Sequence, residues 1–189
     1  MSDAKGIHVL AICGSLRAGS HNRGALRTAI ELKPPGMMIE TADISTIPLY
    51  NEDIRAQGFP PAVETLRRQI AAAAALLFVT PEYNYSMPGV LKNAIDWASR
   101  PPDQPFAGKP VAMMGASAGI GGTVRAQYDL RRSCVFLDMH PVNKPEVFIG
   151  AAQTKFDAEG RFTDEVGRGL IRDLLVALEQ WTRQLARQK

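Results

Sequence analysis

Leu76-Leu77-Phe78-Val79-Thr80-Pro81-Glu82-Tyr83-Asn84-Tyr85-Ser86-Met87-Pro88-Gly89 passes from an unbroken apolar run to a helix start within a few residues. The first four residues read as a strand buried on both faces. Pro81 cannot continue a central ladder, and Ser86 to Gly89 carries the cap and first-turn chemistry of a helix. Between them stands a tip with two tyrosines, a carboxylate and an asparagine. Such groups at the carboxyl end of a parallel strand stand where open α/β sheets bind ligands.

Outward from this stretch, apolar runs alternate with helical patterns along the chain, which predicts a parallel sheet with helices on both faces. Strands are expected at 7–12, 37–42, 76–80, 111–115 and 135–139, the last with an extension at 147–149. Helices are expected over 22–32, 62–72, 88–98, 122–133 and 164–187. The last carries Val166, Leu170, Leu174, Leu178, Trp181 and Leu185 as an apolar stripe facing the core. Pro34-Pro35-Gly36, Gly58-Phe59-Pro60-Pro61 and Pro101-Pro102-Asp103-Gln104-Pro105 fall between these elements and read as loops rather than linkers, so the 189 residues are expected to form one domain. Five βα units of this length fit a flavodoxin-like doubly wound five-stranded parallel sheet of order 2-1-3-4-5, whose ligand lies between the first and third strands.

The charge balance, 22 Lys and Arg against 19 Asp and Glu, suits anionic ligands but is too weak a bias to suggest nucleic acid. The nearest approaches to basic clusters, Arg131-Arg132 and Arg183, Arg187 and Lys189, read as solvated faces. Cys13 and Cys134 form neither a C-x-x-C nor a pattern with His, so a reducing, cytoplasmic compartment is expected, and no metal site. The amino terminus runs directly into a strand and no apolar run approaches about 18 residues, so neither a secretion signal nor a membrane span is expected.

After the first strand comes Gly14-Ser15-Leu16-Arg17-Ala18-Gly19-Ser20-His21-Asn22, then a helix. Small residues let backbone N–H groups converge while the helix adds its positive end, so the loop reads as an anion nest. Ser15 and Ser20 can donate to phosphate oxygens, Asn22 can cap the helix or donate, and Arg17 offers charge-assisted bonds of roughly 1.5–3 kcal/mol each. An ordinary βα turn would explain a cap but not an arginine between glycines. Spacing separates this loop from its rivals. No Lys follows Gly19 as a nucleotide P-loop requires, and Leu16 stands where a dinucleotide fingerprint needs its second glycine. A cysteine-phosphatase loop would carry Arg at the position of Gly19. His21 lies within the loop, whereas His8 and His140 read as structural.

Beside this loop, the tip at 81–86 is suited to a flat flavin ring. Its tyrosines can shield a face, its backbone can bond a polar edge, and Glu82 can orient the loop. The motifs Gly14-Ser15-Leu16-Arg17-x-x-Ser20-x-Asn22 and Pro81-Glu82-Tyr83-Asn84-x-Ser86-x-Pro88-Gly89-x-Leu91-Lys92-Asn93-x-x-Asp96-Trp97 resemble those of the NAD(P)H-dependent FMN reductases, including the chromate and quinone reductase branch. The similarity weakens after about Gly150. The resemblance implies FMN with its phosphate on Ser15, Arg17, Ser20 and Asn22, with Leu16 in the same loop. It places the ring against Pro81, Glu82, Tyr83, Asn84 and Tyr85, with Ser117 and Gly119 on the pyrimidine side. It further implies NADPH or NADH as hydride donor, quinone, flavin, azo or metal-ion acceptors, a homodimer or homotetramer, and chemistry carried by the flavin with no catalytic side chain.

Other readings compete. Gly115-Ala116-Ser117-Ala118-Gly119 matches G-x-S-x-G, which would make Ser117 a hydrolase nucleophile. Asp138 and His140, however, sit two apart on one expected strand end and no His-Gly-Gly-Gly segment precedes them. A short-chain dehydrogenase fails because Tyr128 is followed four residues on by Arg132. A flavodoxin-like electron carrier without pyridine-nucleotide activity is the remaining alternative, and the basic charge argues against it. Tyr50-Asn51-Glu52-Asp53 lies in a loop long enough for a pocket rim or subunit contact, though solvation is the plainer reading. Arg100 and Arg125 are candidates for a 2′-phosphate by charge. Arg125 and Tyr128, one turn apart, are placed to meet Glu146 of another subunit.

Overall fold

The sheet forms from the apolar runs, the central ones buried on both faces and the second, at the sheet edge, fully buried only at its two ends. In the computed structural model, which describes residues 6–188, these are β1 (Ile7–Cys13), β2 (Met37–Ala42), β3 (Ala75–Val79) and β4 (Pro110–Ala116), with short edge pieces β5 (His140–Pro141) and β6 (Val147–Ile149). All pair in parallel in the expected order β2-β1-β3-β4-β5, and β6 also pairs with β4. Helices α1 (His21–Leu32) and α6 (Glu165–Ala186) pack on one face. On the other lie α3 (Pro61–Ala72), α4 (Gly89–Ala98) and α5 (Val124–Phe136), while α2 (Glu52–Arg55) is a single turn in the loop after β2. The two-residue period of β1 divides the cores: Val9, Ala11 and Cys13 enter the first, Leu10 and Ile12 the second. With this order the carboxyl ends of β1 and β3 lie side by side where the winding reverses. No helix among the described residues is long and apolar enough to cross a membrane. The amino-terminal residues used for the leader reading, and Lys189, lie outside the described residues.

Two expectations are corrected. The segment 135–139 is not a strand but the end of α5 and the turn that follows. Val135 and Phe136 are 84% exposed while Leu130, Cys134 and Leu137 are buried, a helical spacing that ends at Leu137. Asp138 then turns at φ 53°. The apolar run imitated a strand because two of its members face solvent. The sheet edge is supplied instead by β5 and by β6, the expected extension. In α6 the buried line is Gly167, Ile171, Leu174, Leu175, Leu178 and Thr182, and Val166 is 75% exposed. Gly167 sets this rotation, because a Cβ there would lie 2.4 Å from Cζ of Phe162, whose ring occupies the helix's first turn.

The carboxyl ends of β3 and β4 are locked together. A Cβ on Gly115 would lie 2.0 Å from the carbonyl oxygen of Thr80 and 2.7 Å from Oγ1 of Thr123. Gly115→Ala should therefore lower unfolding free energy by about 1–3 kcal/mol or more, measured by urea denaturation.

Candidate functional site

The chain leaves β1 at Gly14, whose amide donates to the Val79 carbonyl at 2.9 Å and so seats the first loop beside β3. Ser20 is the N-cap of α1: its Oγ accepts from the amides of Asn22 (3.1 Å) and Arg23 (3.4 Å), which leaves its hydroxyl hydrogen free to donate. The amides of Leu16, Arg17, Ala18 and Gly19 have no hydrogen-bond partner among the described residues, nor do the Ser15 hydroxyl and the Arg17 guanidinium. Unpartnered donors around the positive end of a twelve-residue helix can hold an anion of phosphate size. Leu16 is 41% exposed and brings its amide to the group. His21 stacks on Phe156 at 4.8 Å, and partial burial followed by the charge of Arg17 lowers its pKa.

Asn22 has a third role beside the two considered for it. Its Nδ2 donates to the Ala116 carbonyl at 2.9 Å and its Oδ1 accepts from the Ala116 amide at 2.8 Å, all buried. The side chain ties the first turn of α1 to the last residue of β4.

In the third loop, Tyr83 and Ser86 exchange two backbone hydrogen bonds of 3.0 Å around Asn84 (φ 50°) and Tyr85 (φ 66°). This is a two-residue turn with both central residues left-handed, and for non-glycine residues that costs roughly 1–3 kcal/mol each. The turn holds the Tyr83 and Tyr85 rings outward, 53% and 70% exposed, while Pro81 is buried beneath them. Ser86, expected to cap the next helix, closes this turn instead and its hydroxyl donates to Asp129. Pro88 precedes α4 with no side-chain cap. Glu82 orients the loop: Oε2 accepts from the amides of Arg125 (2.9 Å) and Ala126 (3.1 Å), and Oε1 from Nη1 of Arg125 (3.2 Å). A carboxylate on the first-turn amides of α5 also meets the positive helix end. Arg125 then covers the Tyr85 ring at 3.9 Å.

The fourth loop joins the same end of the sheet. The Ser117 amide donates to the Ile149 carbonyl at 3.0 Å, and Ser117 Oγ accepts from the Gly119 amide at 3.4 Å. Three loops thus converge, with Asn22 linking the first to the fourth. The loop at 43–60 packs on α4 through a Tyr50–Trp97 edge contact of 4.8 Å. Asn93 and Trp97 both donate to the Pro48 carbonyl at 2.8 Å. Glu146 accepts from Tyr128 at 3.0 Å within the same chain and pairs with Lys144, so its contact with α5 needs no second subunit. Arg100 donates back to Asp96 and Ser99. Both arginines considered for a 2′-phosphate, Arg100 and Arg125, therefore have partners within the chain.

The sequence model of NADPH-dependent FMN reductases matches residues 7–154. The chain belongs to the NADPH-dependent FMN reductase family. It is 68% identical over 179 residues to an NAD(P)H-dependent FMN reductase of Pseudomonas aeruginosa, covering 95% of this chain and 97% of that one. It is 50% identical to an NAD(P)H:quinone oxidoreductase of Solanum tuberosum, with 92% and 91% covered. In structure it is similar to the flavoenzyme NAD(P)H:acceptor oxidoreductase FerB of Paracoccus denitrificans, with TM-score 0.85, 33% identity, and 94% and 98% of the two chains covered.

Within this reductase family member the hydrolase reading has no geometry. His140 pairs with Pro110 at the start of β4 whereas Ser117 follows the end of that strand, about 20 Å away at roughly 3.3 Å per residue. The sequence reading missed Asp129, which lies one turn beyond Arg125 and receives the Ser86 hydroxyl, and it missed the Ala116 backbone. Neither has a motif of its own. Asn22→Ala would leave the buried N–H and C=O of Ala116 without their side-chain partner. It should cost the reductase about 2 kcal/mol or more, read from thermal or urea unfolding.

Proposed function

We propose that this chain is an FMN-dependent NAD(P)H oxidoreductase whose three converging loops hold the flavin. The observation that carries the reading is the set of unpartnered donors from Ser15 to Ser20 set beside a rigid hairpin of exposed tyrosines. When bound, FMN supplies the redox chemistry, accepting hydride from NADPH or NADH and passing electrons to a second substrate. Ser15, Arg17, Ser20 and the amides from Leu16 to Gly19 take the phosphate, and Asn22 keeps that cradle in shape from behind. Pro81, Glu82, Tyr83, Asn84 and Tyr85 form the rim against the ring, and Ser117 and Gly119 line the side nearer β4.

The residues bind and orient. Glu82 is committed to the α5 amides and to Arg125, so the site carries no carboxylate free to act as an acid or nucleophile among these rim residues. Burial raises the Cys13 thiol and pushes Cys134 up to about 12, which keeps both protonated and out of the chemistry. The names of the relatives favour quinones as the acceptor class, with free flavin, azo compounds and oxidised metal ions as wider candidates on the same open rim. We place the enzyme in the cytoplasm as a homodimer or homotetramer. The exposed pair Val135 and Phe136 supports association.

Arg17→Ala should weaken FMN binding roughly ten- to two-hundredfold, the worth of one charge-assisted contact, as read by flavin fluorescence titration. An unchanged titration would overturn the phosphate assignment. Since nucleotide and acceptor would use the rim in turn, NADPH oxidation at several quinone concentrations should give parallel double-reciprocal lines, and intersecting lines would contradict shared use.

A further inference from the structure

On the side of the first loop away from the tyrosine hairpin lies a second concavity, a cleft of about 460 Å³ between α1 and the end of β2. Its size is within the range of small-molecule sites, roughly 300–1,000 Å³. Leu26, Ile30 and Ile44 give it an apolar floor, Arg23 and Arg27 stand on one wall, and Asp43 is on the other. Neither arginine meets a carboxylate within ion-pair distance among the described residues. Arg23 spends only Nε, on the Ser15 carbonyl at 3.4 Å, and Arg27 only Nη2, on the Gly160 carbonyl at 2.7 Å. Asp43 accepts the Ser45 amide on Oδ1 at 2.9 Å, and the Ser45 hydroxyl, its amide and the nearby Arg23 charge hold the carboxyl below its ordinary pKa, so it faces the cleft as a carboxylate. Two guanidinia with free N–H groups suit phosphate, an apolar floor suits a base, and a carboxylate oxygen suits a ribose hydroxyl.

We propose that this cleft binds the adenosine phosphate half of the pyridine nucleotide, with Arg23 and Arg27 on its phosphates and Asp43 on its ribose. The proposal rests on reading the chain as a pyridine-nucleotide enzyme. Ser15 and Leu16 line both this cleft and the phosphate loop, so the two sites adjoin at one end of the sheet. Cations at this position also supply what Arg100 and Arg125 do not, since both of those have partners within the chain.

Titration calorimetry of the FMN-saturated protein with ADP, 2′,5′-ADP, adenosine and inorganic pyrophosphate tests the assignment. One ADP or 2′,5′-ADP should bind per chain, with adenosine and pyrophosphate each at least roughly tenfold weaker. Arg23→Gln and Arg27→Gln should each weaken the nucleotide about tenfold, and Arg27→Gln, whose side chain bonds no residue of the phosphate loop, should leave the protein yellow. Tighter binding of 2′,5′-ADP identifies NADPH as the source, and tighter ADP identifies NADH. No nucleotide binding, binding unchanged in the double variant, or pyrophosphate as tight as ADP would overturn the proposal. Failure to take up FMN shows in absorbance beforehand and counts against the proposed function alone. On such colourless protein, ADP binding lost in Arg23→Gln but kept in Arg17→Ala still supports the cleft, and the reverse pattern overturns it.

Discussion

Two hydrogen bonds from the Asn22 side chain to the backbone of Ala116 hold the site together. They join the start of α1 to the end of β4 across the carboxyl edge of the sheet, and both are buried. A buried amide with both ends bonded to backbone fixes position without charge, and breaking it leaves two groups that water does not reach. With the helix start held there, the loop from Ser15 to Gly19 is drawn across the top of β1 with its amides unpartnered. The proposed anion cradle is thus a consequence of where α1 is anchored. Cap and cradle use different atoms of the same few residues: Ser20 accepts from the helix through its lone pairs and keeps its hydrogen for a ligand.

The opposite side of the site is shaped by a charged contact. Glu82 spans from the third loop to the first turn of α5, and Arg125 returns from that turn to Glu82 and to the Tyr85 ring. The hairpin tip carries two left-handed residues that are not glycine, a conformation that persists only where its surroundings hold it. Closure of the turn on itself and the Ser86–Asp129 bond provide that support. The result is a stiff rim that presents ring faces and backbone groups, which is what a prosthetic group carrying its own reactivity needs from a protein.

The sheet order and the two long loop motifs could be read from the chain because both rest on local rules. Apolar runs on strands β1 to β4 are bounded by turn residues, and the loop at Gly14 to Asn22 shows its small residues, hydroxyls and one arginine in a row. What could not be read depends on which atoms meet at long sequence separation. Asn22 looked like a cap or donor because its partner lies 94 positions away. Ser86 looked like a cap because the turn that claims it depends on unusual dihedrals at Asn84 and Tyr85. The end of α5 looked like a strand because periodicity over a short apolar run does not separate the two, and only exposure of Val135 and Phe136 decides it. Arg23 and Asp43 had no motif, and they come together only when β2 lies beside β1.

The most direct test of the account is the affinity of the flavin-free protein for FMN compared with riboflavin, which has the same ring and no phosphate. If the unpartnered amides, Arg17 and the α1 terminus form the anchor, FMN should bind at least roughly a hundredfold more tightly, equivalent to two charge-assisted hydrogen bonds. Equal affinity for the two flavins would show that the cradle holds no phosphate and would contradict the assignment of the site.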